Sequence, residues 1–192
     1  MIYRFFSTVF IIFTVAIQGC TTIVDATTKE PITPDPSRRS FGTYIDDKRL
    51  QVIVSVNIKK TDPVLRQSHI NVTSFNNIIL LTGQVPTQEL RLVAAQVAGK
   101  VTGVRQVYNE LQVATNIAFL ERTNDTWLNT KVKTTLLADT EISGFKVKVV
   151  VEDGVVYLMG LISRRQGDRA GNLASNINGV KEVVRVFEYT DT

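Results

Sequence analysis

The sequence contains very few of the residues that metal sites and most enzyme active sites require. Among its 192 residues there are one cysteine, one histidine and one tryptophan. A lone cysteine, Cys20, leaves no disulfide and no cysteine metal site, and a lone histidine, His69, excludes a histidine metal cluster. Gly-rich phosphate loops, Ser/His/Asp sets and nucleophile elbows are missing as well. The sequence therefore predicts a protein that is not an enzyme and that uses neither a metal nor a cofactor.

Strong charge of one sign is also missing. The formal net charge is +4, and no dense block of lysine and arginine occurs, so nothing in the charge pattern demands a nucleic-acid partner.

No apolar run is long enough to cross a bilayer, which takes about 20 residues. The longest one, residues 5–17, follows Arg4 and has the layout of a secretory signal peptide. Residues 17–20 (Ile-Gln-Gly-Cys) resemble a bacterial lipobox. The resemblance implies cleavage before Cys20, acylation of that cysteine and, because Thr21 follows it rather than aspartate, transfer to the periplasmic face of the outer membrane. The alternative, an ordinary signal peptide that leaves a free thiol, is disfavoured because such a thiol is a liability in an oxidising compartment.

We therefore expect residues 1–19 to be a lipoprotein signal peptide and residues 20–40 to be a lipidated cysteine followed by a tether. The tether contains Pro31, Pro34 and Pro36 among threonine, aspartate and serine, and it lacks the apolar content needed to fold.

After the tether, one pattern occurs twice. Alternating apolar residues (70–75), a turn pair and a second apolar segment (78–83) predict a β-hairpin, and residues 147–152 and 155–160 repeat it around Asp153-Gly154. We expect the two hairpins to end at Gly83 and Gly160.

Apolar residues at helical spacing predict a helix before and after each hairpin. Asp47 and Asp125 are predicted to cap the first helices, and Ser163 with Gln166 reads as a capping box. The buried positions should include these residues: Leu50, Val54, Leu90, Val97, Leu128, Val132, Leu173 and Ile177. The fold class is therefore α+β, with two α-β-β-α-β copies at residues 41–113 and 120–192. In the connection between them, Ile117, Phe119 and Leu120 should pack between the copies.

These units resemble BON domains. The resemblance rests on the hairpin glycines, on the Gly103-Val104 and Gly179-Val180 corners, and on residues 107–110, 124–127 and 157–161. Two such units behind a lipobox resemble the dual-BON-domain outer-membrane lipoproteins. The resemblance implies helices on one face of a small mixed three-stranded sheet in each domain. It also implies binding of anionic phospholipid mainly through the second domain, a role in outer-membrane integrity and no catalysis.

The candidate lipid-binding site surrounds Trp127, which lies about 100° around its helix from the core stripe. An exposed tryptophan beside lysines is typical of a membrane interface, where the ring enters the headgroup layer and the cations meet lipid phosphate. The alternative is that Trp127 fills the gap between the two domains. The predicted lipid-binding residues are Trp127, Leu128, Thr130, Lys131, Lys133 and Thr134.

Arg164 and Arg165 are predicted to form a secondary basic surface, whereas Arg169 is expected to be a solvated helix end. His69 is expected to be structural rather than a ligand. The alternative function is that of a periplasmic adaptor whose same surface docks on envelope assembly machinery or a cell-wall component. An exposed second or third strand of a sheet could serve that docking as well.

Overall fold

The computed structural model describes residues 40–114 and 120–191. The predicted signal peptide, Cys20 and nearly all of the tether lie outside the described residues. Ile117 and Phe119 of the connection do so too, and the placement of the Leu120 side chain is not described either.

Domain 1 begins with a helix that is longer than the pattern predicts. Ser40 caps it, because its hydroxyl accepts a hydrogen bond from the Thr43 backbone N–H at 3.0 Å. The elements of domain 1 are α1 (Phe41–Thr61), α2 (Pro63–Gln67), β1 (His69–Phe75), β2 (Ile78–Val85), α3 (Gln88–Gly99), β3 (Gln106–Asn109) and β4 (Gln112–Val113).

Domain 2 repeats this order without counterparts of α2 and β4. Its elements are α4 (Leu120–Ala138), a short 3-10 turn (Gly144–Lys146), β5 (Val147–Glu152), β6 (Val155–Ile162), α5 (Arg164–Ser175) and β7 (Glu182–Tyr189). Ser163 caps α5 by accepting from the Gln166 backbone N–H, but the Gln166 side chain donates to the Glu141 carbonyl instead of completing the predicted capping box.

Each sheet is mixed, which confirms the predicted α+β class, but the sheet of domain 1 has four strands instead of the predicted three. β1 and β2 pair antiparallel and β2 and β3 pair parallel, while β4 continues the parallel pairing with β2 after a break. In domain 2, β6 pairs antiparallel with β5 and parallel with β7. The second strand of each copy is therefore central, and the prediction that it could be an exposed edge is wrong. The hairpins also do not end at their glycines, because β2 and β6 run through Gly83 and Gly160.

Asp47 and Asp125 are not helix caps, and this prediction is wrong. Both lie inside their helices and hold the hairpin turns. The Asp47 carboxylate accepts hydrogen bonds from the Ser74 hydroxyl and from the backbone N–H groups of Asn76 and Asn77 at 2.7–2.9 Å. The Asp125 carboxylate accepts from the N–H groups of the Asp153-Gly154 turn at 2.7 and 2.8 Å. The turn residues have positive φ, and their N–H groups point at these two carboxylates. A buried N–H group left without an acceptor would cost stability.

The helices of each domain cover one face of its sheet and form a helix-side core there. The predicted stripe of the first helices is confirmed, since Leu50, Val54, Leu128 and Val132 are all buried. Ile177 is buried too. In the second helix of each domain, the most deeply buried side chains are alanines. Three larger residues that were predicted to be buried are only partly buried, although they pack against these cores: Leu90, Val97 and Leu173.

A third core, which is not among the predictions made from the sequence, lies between the two sheets. The helix-free faces of the sheets pack on each other through seven buried residues: Phe75, Ile78, Leu80, Val155, Tyr157, Met159 and Val186. Burial raises the pKa of the Tyr157 hydroxyl. We call this cluster the interdomain core.

Polar contacts bordering the interdomain core also join the domains. Glu152 of domain 2 lies 3.0 Å from His69 Nε2 and accepts from the Asn71 side chain at 2.8 Å. Glu188 accepts from Arg105 at 2.6 Å and from the Asn76 side chain at 2.7 Å. His69 is therefore structural, as predicted.

Candidate functional site

Trp127 projects from α4 on the side away from the helix-side core. The neighbouring Leu128, with Val132 and Leu136 at the following turns, points into that core and is fully buried. Because successive residues are turned by about 100°, Trp127 must lie outside the core, and its side chain is 51% exposed. It is absent from the interdomain core as well. The structure therefore does not support the alternative in which Trp127 fills the gap between domains.

A lysine side chain lies over the exposed tryptophan ring. The Lys131 ammonium lies 4.7 Å from the centre of the Trp127 ring, one turn further along α4. This is within the range of a cation–π contact, which contributes on the order of 1 kcal/mol at an exposed site. The pair presents an apolar ring with a polar edge and a positive charge at one point on the surface.

The two threonines of the predicted site lie next to this pair on exposed positions of α4. Thr130 donates its hydroxyl to the Thr126 carbonyl at 3.1 Å, and Thr134 donates to the Thr130 carbonyl at 3.0 Å. With their hydroxyl hydrogens engaged by the helix itself, they offer methyl groups and oxygen lone pairs to whatever covers the surface.

Two predicted members of the site lie elsewhere. Leu128 is fully buried in the helix-side core, so its prediction as a lipid contact is wrong. Lys133 lies on another side of α4, where it lines a recess shared with Tyr44 and Lys48 of domain 1. The structure thus brings together Trp127, Thr130, Lys131 and Thr134 but separates Lys133 from them.

The arginines at the start of α5 lie among carboxylates. Arg169 donates to Asp139 at 2.8–3.0 Å and keeps the pKa of that carboxyl below its usual value, so it is paired rather than simply solvated. Arg165 lies 3.6 Å from Glu141. The Arg164 guanidinium lies over the Tyr189 ring, while its backbone N–H donates to Asp191. The local acids offset much of the positive charge expected for this secondary surface.

Sequence reasoning missed a second group of exposed aromatic residues. Phe145 on the 3-10 turn is 91% exposed, Phe41 at the start of α1 is 80% exposed, and Tyr44 is 46% exposed. A phenylalanine between Gly144 and Lys146, in a loop, was the available signal.

Neither metal binding nor a membrane-spanning helix is indicated within residues 40–114 and 120–191. No cluster of three or more His, Asp or Glu side chains there is arranged to hold a metal ion. Likewise, no helix in those two ranges combines the length and apolarity needed to cross a bilayer.

Comparison with known proteins decides the family. A family model described as the BON domain matches residues 46–115 and again residues 124–191. The chain belongs to the BON-domain family. Its second copy was predicted from the internal repeat, and the resemblance drawn from the sequence is confirmed.

Curated relatives narrow the type of BON-domain protein. The chain is 37% identical over 180 residues to "Outer membrane lipoprotein DolP" of Haemophilus influenzae, a match that covers 93% of this chain and 92% of the relative. It is 36% identical to the "21 kDa hemolysin" of Actinobacillus pleuropneumoniae, covering 79% and 78% of the two chains, and 32% identical to "Osmotically-inducible protein Y" of Escherichia coli, covering 78% and 75%. The chain is therefore an outer-membrane lipoprotein of the DolP type with two BON domains.

Among solved structures, the C-terminal domain of CdsD, a structural protein of the type III secretion system of Chlamydia trachomatis, covers 74% of this chain and 66% of its own. The TM-score of 0.29 at 14% identity is too low to indicate a shared function.

Proposed function

We propose that this BON-domain lipoprotein binds anionic phospholipid through α4 of its second domain, and that this binding supports the integrity of the outer membrane. The observation that carries the proposal is the half-exposed Trp127 with the Lys131 ammonium 4.7 Å from its ring. In this binding mode the indole enters the headgroup layer, the ammonium meets lipid phosphate, and Thr130 and Thr134 lie against the headgroups. Cys20 supplies the anchor that keeps the domains near the bilayer.

Fluorescence of the lone tryptophan tests the site directly. The unacylated chain from residue 21 onward is mixed with vesicles of phosphatidylglycerol or of phosphatidylcholine. We expect the Trp127 emission to shift to the blue with the anionic vesicles and to stay unchanged with the neutral ones. An unchanged emission with both lipids would contradict the proposal.

Substitutions show which side chains contact the lipid. Trp127→Glu should weaken flotation with anionic vesicles at least about tenfold, since burying a large ring contributes on the order of 2 kcal/mol. Lys131→Glu should weaken it roughly fivefold at low salt and less at high salt, because one lysine near an anionic surface contributes about 1 kcal/mol. Leu92→Glu is the matched control, because Leu92 on α3 is 53% exposed and lies in the other domain. If all three variants float like the wild type, the lipid-binding surface is elsewhere, and Arg164 and Arg165 are the next candidates.

A further inference from the structure

A groove lined by aromatic side chains opens where α1 of domain 1 meets the loop before β5 of domain 2. Phe41 and Tyr44 line it from one domain and Leu137, Ile142 and Phe145 from the other, with the buried Phe75 among the lining residues. Phe41 and Phe145 are 80% and 91% exposed. Two nearly bare phenylalanines beside one groove are unusual for a solvent-facing surface, because exposed apolar patches generally mark a binding site.

The loop that carries Phe145 is held in place. Gly144 is buried so closely against the end of α4 that an added Cβ would lie 2.6 Å from the Leu136 carbonyl oxygen. Asp139 accepts hydrogen bonds from the backbone N–H groups of Glu141 and Ile142, and Arg169 holds the same carboxylate. The phenylalanine is therefore projected outward by a fixed loop, so little ordering is needed before it makes contact.

The charge around the groove is positive. Its lining and that of the adjoining recess include four lysines, Lys48, Lys133, Lys146 and Lys148, and one aspartate, Asp47. Asp47 and Lys148 are both engaged by residues of domain 1, since Asp47 accepts from the Ser74 hydroxyl and two N–H groups of the β1–β2 turn and the Lys148 ammonium donates to the Ser74 carbonyl. An occupant with negative charge is therefore complementary to this surface.

The position of the groove in the chain favours a membrane over a protein as that occupant. Ser40, at which the segment from Cys20 joins α1, is itself one of the lining residues. The junction between the anchored segment and the described domains, at Ser40, is therefore part of the groove. Projecting phenylalanines with surrounding lysines also have the chemistry of the bilayer interface, where rings insert and cations meet phosphate.

We propose that this groove and the adjoining recess form a second membrane contact, in which Phe41 and Phe145 insert into an anionic phospholipid bilayer while Lys48 and Lys133 of the recess meet lipid phosphate. The inference deepens the proposed function but uses other residues. Leu137, which lines the groove, is ten residues beyond Trp127, about 15 Å along α4. Substitutions can therefore remove the Trp127 contact and the groove contact independently of each other.

Moving the single tryptophan tests the groove. The acylated full chain carrying Trp127→Phe and Phe145→Trp is reconstituted into vesicles of phosphatidylglycerol or phosphatidylcholine that contain brominated acyl chains. We expect bromine to quench the tryptophan at position 145 in the anionic vesicles and much less in the neutral ones. The matched control carries Trp127→Phe and Leu92→Trp, with Phe145 kept, and its tryptophan should stay unquenched. Lys48→Glu should reduce the quenching at position 145 at least twofold, whereas Lys100→Glu, on the exposed end of α3, should not.

The outcomes separate this inference from the proposed function. Quenching at position 145 without quenching of Trp127 in the wild type supports the groove and contradicts the Trp127 site. Quenching of Trp127 alone, or equal quenching at positions 145 and 92, overturns the groove as a membrane contact. A photo-crosslinking residue at position 145 that captures an envelope protein in cells, while position 145 stays unquenched, overturns it in favour of a protein occupant.

Discussion

At the scale of single residues, one carboxylate in each domain connects the first helix to a turn far away in the sequence. Asp47 has its three donors on residues 74–77, and Asp125 has two on the turn after β5. Each aspartate precedes an apolar stripe, a position typical of an N-cap, and local sequence cannot reveal a partner that only the folded sheet provides. The true cap of α1, Ser40, lies two turns earlier, so the error shortened the predicted helix.

Asp47→Ala should therefore destabilise the protein considerably. It would leave the hydroxyl of Ser74 and two turn N–H groups without their acceptor, and hydrogen bonds to a charged group contribute about 1.5–3 kcal/mol each. We expect a loss of about 3 kcal/mol in the free energy of unfolding, measured by urea denaturation. Asp46→Ala is the control, because Asp46 is exposed. Equal stability of the two variants would mean that the carboxylate does not hold the turn.

At the scale of helices and strands, hydrophobic periodicity predicted nearly all of the elements, but it did not predict that the helix-free face of each sheet is buried. The stripe of Leu50 and Val54, with its counterpart in α4, correctly identified the helix-side cores. The middle strands β2 and β6 lack such a periodic stripe, because their sequences are almost continuously apolar. Such a run is typical of a strand buried on both faces. It was the available signal for the interdomain core, but a sequence does not say which surface covers the second face.

Truncation within the middle strands should show that both faces are core. Leu80 points to the interdomain core and its neighbour Leu81 to the helix-side core of domain 1, and both are fully buried. Leu80→Ala and Leu81→Ala should each cost about 2–5 kcal/mol in thermal or urea unfolding. Leu92→Ala, at an exposed position of α3, should change stability by less than about 0.5 kcal/mol. If Leu80→Ala resembles Leu92→Ala, the sheets are not packed on each other in solution.

The candidate site was predicted in part for the same reason. Helical spacing correctly placed Trp127, Thr130, Lys131 and Thr134 outside the core, since they share one side of α4. Lys133 was grouped with them by its nearness in sequence, although it is turned toward domain 1. Phe41 and Tyr44 lie on α1 and Phe145 lies on the 3-10 turn before β5, and only the packing of one domain on the other brings these two segments together.

For the whole molecule, the acidic residues that join the two domains predict how stability responds to pH. Glu188 of domain 2 accepts hydrogen bonds from Arg105 and Asn76 of domain 1, and the Arg105 guanidinium keeps the pKa of this carboxyl below its usual value. A carboxyl with a lowered pKa stabilises the folded state above the pKa it has when unfolded. That contribution is lost as the pH falls through its folded pKa.

Stability should accordingly fall below about pH 4.5, where a glutamate carboxyl of the unfolded chain begins to take up protons. Glu188→Gln should lower the free energy of unfolding at pH 7 by on the order of 1 kcal/mol and make its decline between pH 5 and pH 3 shallower. Part of the decline should remain, because Arg169 lowers the pKa of Asp139 within domain 2 in the same way. Glu182→Gln, at an exposed position of the same strand, should reproduce the wild-type curve. Urea titrations across this pH range measure the difference, and identical slopes for Glu188→Gln and the wild type would show that the Arg105–Glu188 pair does not contribute to holding the domains together.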